Sequence, residues 1–275
     1  MKKIVIVMLC AGLMAFGVAC GDDDNGVGDV SEYTIELDGK TLRNARFSPD
    51  GDRLAALATD QDSGDEDVVV MDSEGSNVTV VAEDVSYLTV PTWRADGSAV
   101  VYNHNQIYEV DPDGGQAEEF ASASFASMSP DLSPDESLVV FGINGGNLQL
   151  EDLTESEEGP VDLGMPGNSP RFSPQGTQIA FATSTAISLM DADGENLREV
   201  TTEDLSYLSS VSWFPDGQRL AITSERGIEI LDIDSGEREV IDDQFASMAV
   251  DVSPQGDRIV YGINGRDHLV VIEGL

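Results

Sequence analysis

The sequence predicts an all-β fold: a six-bladed β-propeller of four-stranded blades, closed by an N-terminal strand that pairs with the last blade. Three observations lead there. One turn motif returns six times, short strand-forming runs follow each copy, and the last unit ends one strand short. The copies read FSPDG from Phe47, WRADG from Trp93, LSPDE from Leu132, FSPQG from Phe172, WFPDG from Trp213 and VSPQG from Val252. Their first residues are 46, 39, 40, 41 and 39 positions apart. A fixed period near ~40 residues marks an architecture built from one small stacked unit.

Each element has a local cause. In the turn, Pro presets φ, Asp bonds its own backbone and Gly tolerates positive φ. The run after each turn, such as Leu54 to Leu57, Leu138 to Phe141 or Ile259 to Tyr261, is too short for a helix and rich in strand formers. A second run follows and mostly ends in an acid, as in Val68 to Asp72 and Ile187 to Asp191. Another turn (DSEG, DPDG, DADG) and a weaker strand complete four strands per unit. A lone unit buries neither face, so neighbours must stack, and a closed ring protects most strand edges. The last unit has strands near Ile259 and Leu269 to Ile272, then stops. Tyr33 to Leu37 alternates like a strand and is expected to supply the missing one.

A longer period lies over the first. Glu83 to Leu88 (EDVSYL) returns as Glu203 to Leu208 (EDLSYL), Phe125 to Met128 as Phe245 to Met248, and Trp93 as Trp213, all at an offset of 120. The chain reads as a duplicated three-blade half forming one domain, residues 31–275. Gln61 to Asp67 is an acidic insertion in the first blade.

The leading segment reads as an export signal over residues 1–19, with Lys2 and Lys3 before an apolar stretch. Gly17-Val18-Ala19-Cys20 resembles the lipobox of bacterial lipoproteins, with Gly17 where that pattern usually has Leu. The resemblance implies a lipid on Cys20 and localisation in the cell envelope, at the outer membrane or facing the periplasm. Residues 20–30 then form the lipidated Cys and a flexible acidic tether. Membrane contact is expected through the lipid alone.

The chain carries 52 Asp and Glu against 14 Lys and Arg, a net charge of −38. Nucleic acid is disfavoured as a partner, because phosphate binding needs basic patches.

The Phe172 to Thr201 stretch, FSPQGTQIAF followed by SLMDADGENLREVT, closely resembles the repeat of TolB-type six-bladed propellers. Similar repeats occur in the propellers of prolyl oligopeptidase-like enzymes. The resemblance covers about residues 40–275 and speaks to fold more than to function. The Gly-His and Trp-Asp pairs of WD repeats are absent. About 20 residues separate Cys20 from the first blade, so the TolB amino-terminal domain and its contacts are not carried over.

Catalytic chemistry finds little support in the sequence. There is no G-x-S-x-G nucleophile turn, no Cys/His cluster for zinc and no Gly-rich loop before a helix. His104 and His268 are not repeated at the 120 offset. Asp191, Asp193 and Asn196 lack the further ligands of a calcium loop and read as turn residues. No catalytic residue, metal site or cofactor is therefore expected. The propeller is read as a non-catalytic monomer acting as a scaffold for a protein or peptide partner of basic character. The partner-binding candidates are the paired aromatics Tyr87, Tyr207, Phe125 and Phe245, on the face of the interblade connections. The alternative is an envelope lyase or hydrolase using the central channel, on carbohydrate.

Overall fold

The computed structural model describes residues 30–121, 127–143, 145–154, 159–201, 210–244 and 246–275. Cys20, Phe125, Tyr207 and Phe245 lie outside the described residues. The described elements are all strands. They open with β1 (Ser31–Ile35). Blade one holds β2 (Lys40–Phe47), β3 (Arg53–Asp60), β4 (Glu66–Asp72) and β5 (Thr79–Ala82). Blade two holds β6 (Thr92–Trp93), β7 (Val100–Asn103), β8 (Ile107–Val110) and β9 (Glu118–Ala121). Blade three holds β10 (Ser127–Leu132), β11 (Leu138–Ile143), β12 (Asn147–Asp152) and β13 (Val161–Pro166). Blade four holds β14 (Asn168–Phe172), β15 (Gln178–Ala182), β16 (Ile187–Asp191) and β17 (Arg198–Thr201). Blade five holds β18 (Val211–Trp213), β19 (Arg219–Ser224), β20 (Gly227–Asp232) and β21 (Arg238–Asp242). Blade six holds β22 (Ala246–Val252), β23 (Arg258–Ile263) and β24 (Leu269–Glu273).

The sixth sheet runs β1-β24-β23-β22, so the leading strand completes the last blade. Its register runs from Ser31 opposite Glu273 to Ile35 opposite Leu269. Ile35 enters the core, and the Tyr33 hydroxyl donates to the Ser73 carbonyl of blade one at 3.2 Å. Closure is therefore both strand pairing and packing.

Six apolar clusters hold the ring, one at each blade interface. Along β3, Leu54, Ala56 and Ala58 face the blade-six side, while Ala55 and Leu57 face blade two. Strand periodicity thus alternates between two buried faces, so the sequence shows unbroken apolar runs instead of apolar-polar alternation.

The turns follow the motif chemistry. The Gly51 amide donates to the Ser48 carbonyl at 2.8 Å, and Gly51 sits at φ +78°. In the third copy Glu136 replaces Gly and still takes φ +57°. Its carboxylate accepts from the Ala95 amide and from Arg94 Nη1, each at 2.7 Å, which offsets the left-handed strain. The DADG turn is also local chemistry: the Asn196 side-chain amide donates to Asp191 at 2.6 Å.

Strand direction places the motif turns on one face, together with the turns after each third strand. The hairpins between second and third strands, and the interblade connections, lie on the other.

Candidate functional site

The innermost strand of each blade carries a polar residue immediately before the motif. In blade order these are Arg46, Thr92, Asp131, Arg171, Ser212 and Asp251. All six are buried, at 8% exposure or less. Backbone irregularities set the aim of three of them. Register shifts fall just ahead of Arg46, Asp131 and Arg171, where Asn44, Ser129 and Ser169 take positive φ. Such bulges re-aim the side chains that follow them. Six residues from six blades converge near the motif-turn end of the axis.

They form a charged ring. Arg171 donates through Nη1 to Asp131 at 3.0 Å, through Nη2 to Asp251 at 2.7 Å, and through Nε to the Val211 carbonyl at 3.3 Å. The second oxygen of Asp131 accepts the Phe172 amide, and that of Asp251 accepts the Phe47 amide, each at 2.9 Å. Ser212 donates to Asp251 at 3.1 Å, and Thr92 hydrogen-bonds Asp131. The outer edge of the ring is fixed by two indoles. Trp93 Nε1 donates to the Arg46 carbonyl at 3.2 Å, and Trp213 Nε1 to the Arg171 carbonyl at 3.0 Å. The order Arg-Thr-Asp-Arg-Ser-Asp is a pseudo-twofold, the three-dimensional form of the 120-residue repeat.

One position breaks that symmetry. Arg46 Nη1 stands 3.7 Å from Asp251 and 3.8 Å from Asp131, beyond hydrogen-bond reach. Its Nε and Nη1 have no hydrogen-bond partner although both are buried. Arg171 has taken both carboxylates. Burial lifts the Asp131 carboxyl to about 7 and the Asp251 carboxyl to about 6, and Arg46 opposes both shifts. Burial also lowers Arg46 from its ordinary value. A cavity of about 180 Å³ opens beside the ring, with Asp131, Arg171 and Ser212 lining it along with Pro134, Pro174 and Trp213.

On the opposite face the connection from β5 to β6 presents Tyr87. The Val85 amide donates to the Glu66 carbonyl at 2.8 Å, and Val85 is buried. The Thr89 amide closes a turn onto the Ser86 carbonyl at 2.9 Å. Thr89 is itself held, donating from its hydroxyl to the Asn103 carbonyl at 2.7 Å and accepting from Asn44 at 2.9 Å. Tyr87 stands between these anchors and is 60% exposed. Exposed Glu83 and Asp84 lie beside it in the chain. Tyr87 is thus a surface residue, not interface core. Its repeat mate Tyr207, and the pair Phe125 and Phe245, lie outside the described residues.

Residues 36–186 match the family model of the TolB beta propeller domain, more than half of the chain. The chain belongs to the TolB beta propeller family. This TolB-type propeller is similar in structure to TolB from Agrobacterium tumefaciens, with a TM-score of 0.63 and 18% identity, over 88% of this chain and 91% of that one. It is similar to TolB from Acinetobacter baumannii at TM-score 0.61 and 16% identity, covering 86% of this chain and 64% of that one. It is also similar to an oligogalacturonate lyase from Vibrio parahaemolyticus, at TM-score 0.59 and 11% identity, over 98% and 97% of the two chains. These structural likenesses establish the fold. In sequence it is 28% identical over 112 residues to the uncharacterized protein YidR of Escherichia coli K12, covering 39% of this chain and 26% of that relative. This chain therefore matches about a quarter of that relative's length.

The histidines of this TolB-type propeller stand away from the ring. His104 is exposed in the β7–β8 hairpin, and His268, before β24, pairs with Asp267 at 3.2 Å. Among the described residues no group of three or more His, Cys, Asp or Glu side chains could hold a metal ion. The sequence reading missed the Arg–Asp ring. Its signal was present: one polar residue directly before every motif copy, two of them Arg and two Asp.

Proposed function

We propose that this chain is an exported propeller, lipid-anchored at Cys20, that binds a protein or peptide of basic character in the bacterial cell envelope. It acts as a non-catalytic monomer. One observation carries the reading. The axial carboxylates are engaged by Arg171 and by backbone amides, whereas the connection face offers Tyr87, an aromatic on a pinned turn, beside Glu83 and Asp84. Rigid aromatic anchors in an acidic setting suit a partner with cationic and apolar groups. Family membership supports a recognition scaffold in general terms.

The test is a photo-crosslinker placed at position 87 in intact cells, with position 175 on the motif-turn face as control. A discrete adduct from 87 and none from 175 supports the reading; equal capture, or none, defeats it. Cys20→Ser should release the protein from the membrane fraction.

A second reading, an envelope lyase acting on carbohydrate, draws on Asp131, whose carboxyl is raised to about 7 beside a cavity. It also draws on the full-length likeness to the oligogalacturonate lyase. Formation of unsaturated product from oligogalacturonate, abolished by Asp131→Asn, would establish it in place of the scaffold.

A further inference from the structure

We propose that the channel mouth on the motif-turn face is a second binding site, for a neutral polyhydroxylated ligand: one sugar residue or the end of a glycan. It is independent of the partner surface at Tyr87, which lies on the other face.

The first support is an incomplete polar network. Arg46 is 3% exposed, and its Nε and Nη1 have no hydrogen-bond partner. Buried guanidinium N–H groups without acceptors are costly, so an acceptor from outside the chain belongs there. Arg46 Nη1 lies 3.8 Å from Asp131, which lines the cavity. Arg46 does not itself line the cavity; Asp131 stands between its donors and that space, so a ligand oxygen reaches them past this carboxylate.

The second support is charge. With both acids ionised, two guanidiniums and two carboxylates cancel. An anion would meet Asp131 and Asp251 and a chain of net charge −38. A cation would have to approach beside the Arg46 and Arg171 guanidiniums, which stand next to both carboxylates. A neutral ligand with adjacent hydroxyls meets neither penalty. Its oxygens accept from Arg46, and its hydroxyl hydrogens donate to the lone pairs left on Asp131.

The third support is size and wall chemistry. A cavity of about 180 Å³ is smaller than the ~300 Å³ lower bound of ordinary ligand pockets, so it suits a single ring. Pro134, Pro174 and Trp213 supply apolar walls for the C–H face of a sugar. Polar floor and apolar wall together match an amphipathic ring.

Two tryptophans make the test simple. Trp213 lines the cavity, and Trp93 is its pseudo-twofold mate. Their indole N–H signals are followed by NMR at about pH 8, where the carboxyls at about 7 and about 6 are ionised. Methyl glucoside, N-acetylglucosamine, galacturonate and acetate are titrated separately. A saturable shift of Trp213 with a neutral sugar, larger than that of Trp93, supports the site. Arg46→Met and the milder Ser212→Ala should each weaken it about tenfold. Response to galacturonate or acetate alone overturns the proposal. So does a silent Trp213 with all four, which leaves only water at Arg46. Neither result bears on crosslinking at position 87.

Discussion

Arg171→Met should be the most damaging single change in the ring. The substitution keeps much of the apolar stem but removes three hydrogen bonds, to Asp131, Asp251 and the Val211 carbonyl. Two buried carboxylates are left with one guanidinium group whose Nη1 is 3.7 and 3.8 Å away. Stripping one partner from a buried ion network costs about 3–5 kcal/mol, because the remaining charge stays desolvated. At roughly 2–4 °C per kcal/mol for a domain of this size, the melting temperature should fall by roughly 6–20 °C. Arg46→Met removes no hydrogen bond from Nε or Nη1, so it should cost less, about 1–2 kcal/mol. The loss in Arg171→Met should deepen as pH rises past about 6–7, where the wild-type carboxyls ionise while those of the variant, without Arg171, are held protonated to higher pH. Thermal and urea melts followed by circular dichroism measure all three. If Arg46→Met proves equal to or worse than Arg171→Met, the asymmetry described for the ring is wrong.

Other outcomes follow from the same contacts. Deleting residues 31–38 removes the outer strand of blade six and buried Ile35, and should lower the melting temperature sharply; an unchanged melt would deny closure by β1. For Asp131, the folded carboxyl titrates at about 7, above its ordinary 3.8. The native state holds that proton more tightly, so the linked stability is complete below 3.8 and lost as pH passes about 7. Wild type should therefore lose ground to Asp131→Asn between about pH 4 and 8, by up to about 4 kcal/mol; a pH-independent difference would refute this. Glu136→Ala keeps the left-handed strain and drops two bonds, costing about 1–3 kcal/mol, while Glu136→Gly should be the milder change in the same melts. Arg258 lies over the Phe47 ring at 4.9 Å and donates to the Gly51 carbonyl at 2.7 Å. Arg258→Ala should cost about 1–3 kcal/mol by loosening the join between blades six and one; a loss below the error of a urea melt would assign that join to apolar packing alone.

Blade number, strand number, the motif turns and the closing strand were all readable from the chain. These features rest on short-range causes: turn residues fix local φ, and short β-rich runs between turns leave little alternative to strands. Closure was legible because one unit lacked a strand and the opposite end held a spare. Exposure of Tyr87 was not, because a tyrosine flanked by apolar Val85 and Leu88 fits either a surface turn or a blade interface. The anchors that settle it, Glu66, Asn44 and Asn103, come from three other strands. The ring was less legible still. Its members stand about 40 residues apart and look like isolated polar residues until six innermost strands meet on one axis. Which arginine captures both carboxylates is decided there as well, since the repeat supplies Arg46 and Arg171 on equal terms and only the assembled geometry separates 2.7 Å from 3.7 Å.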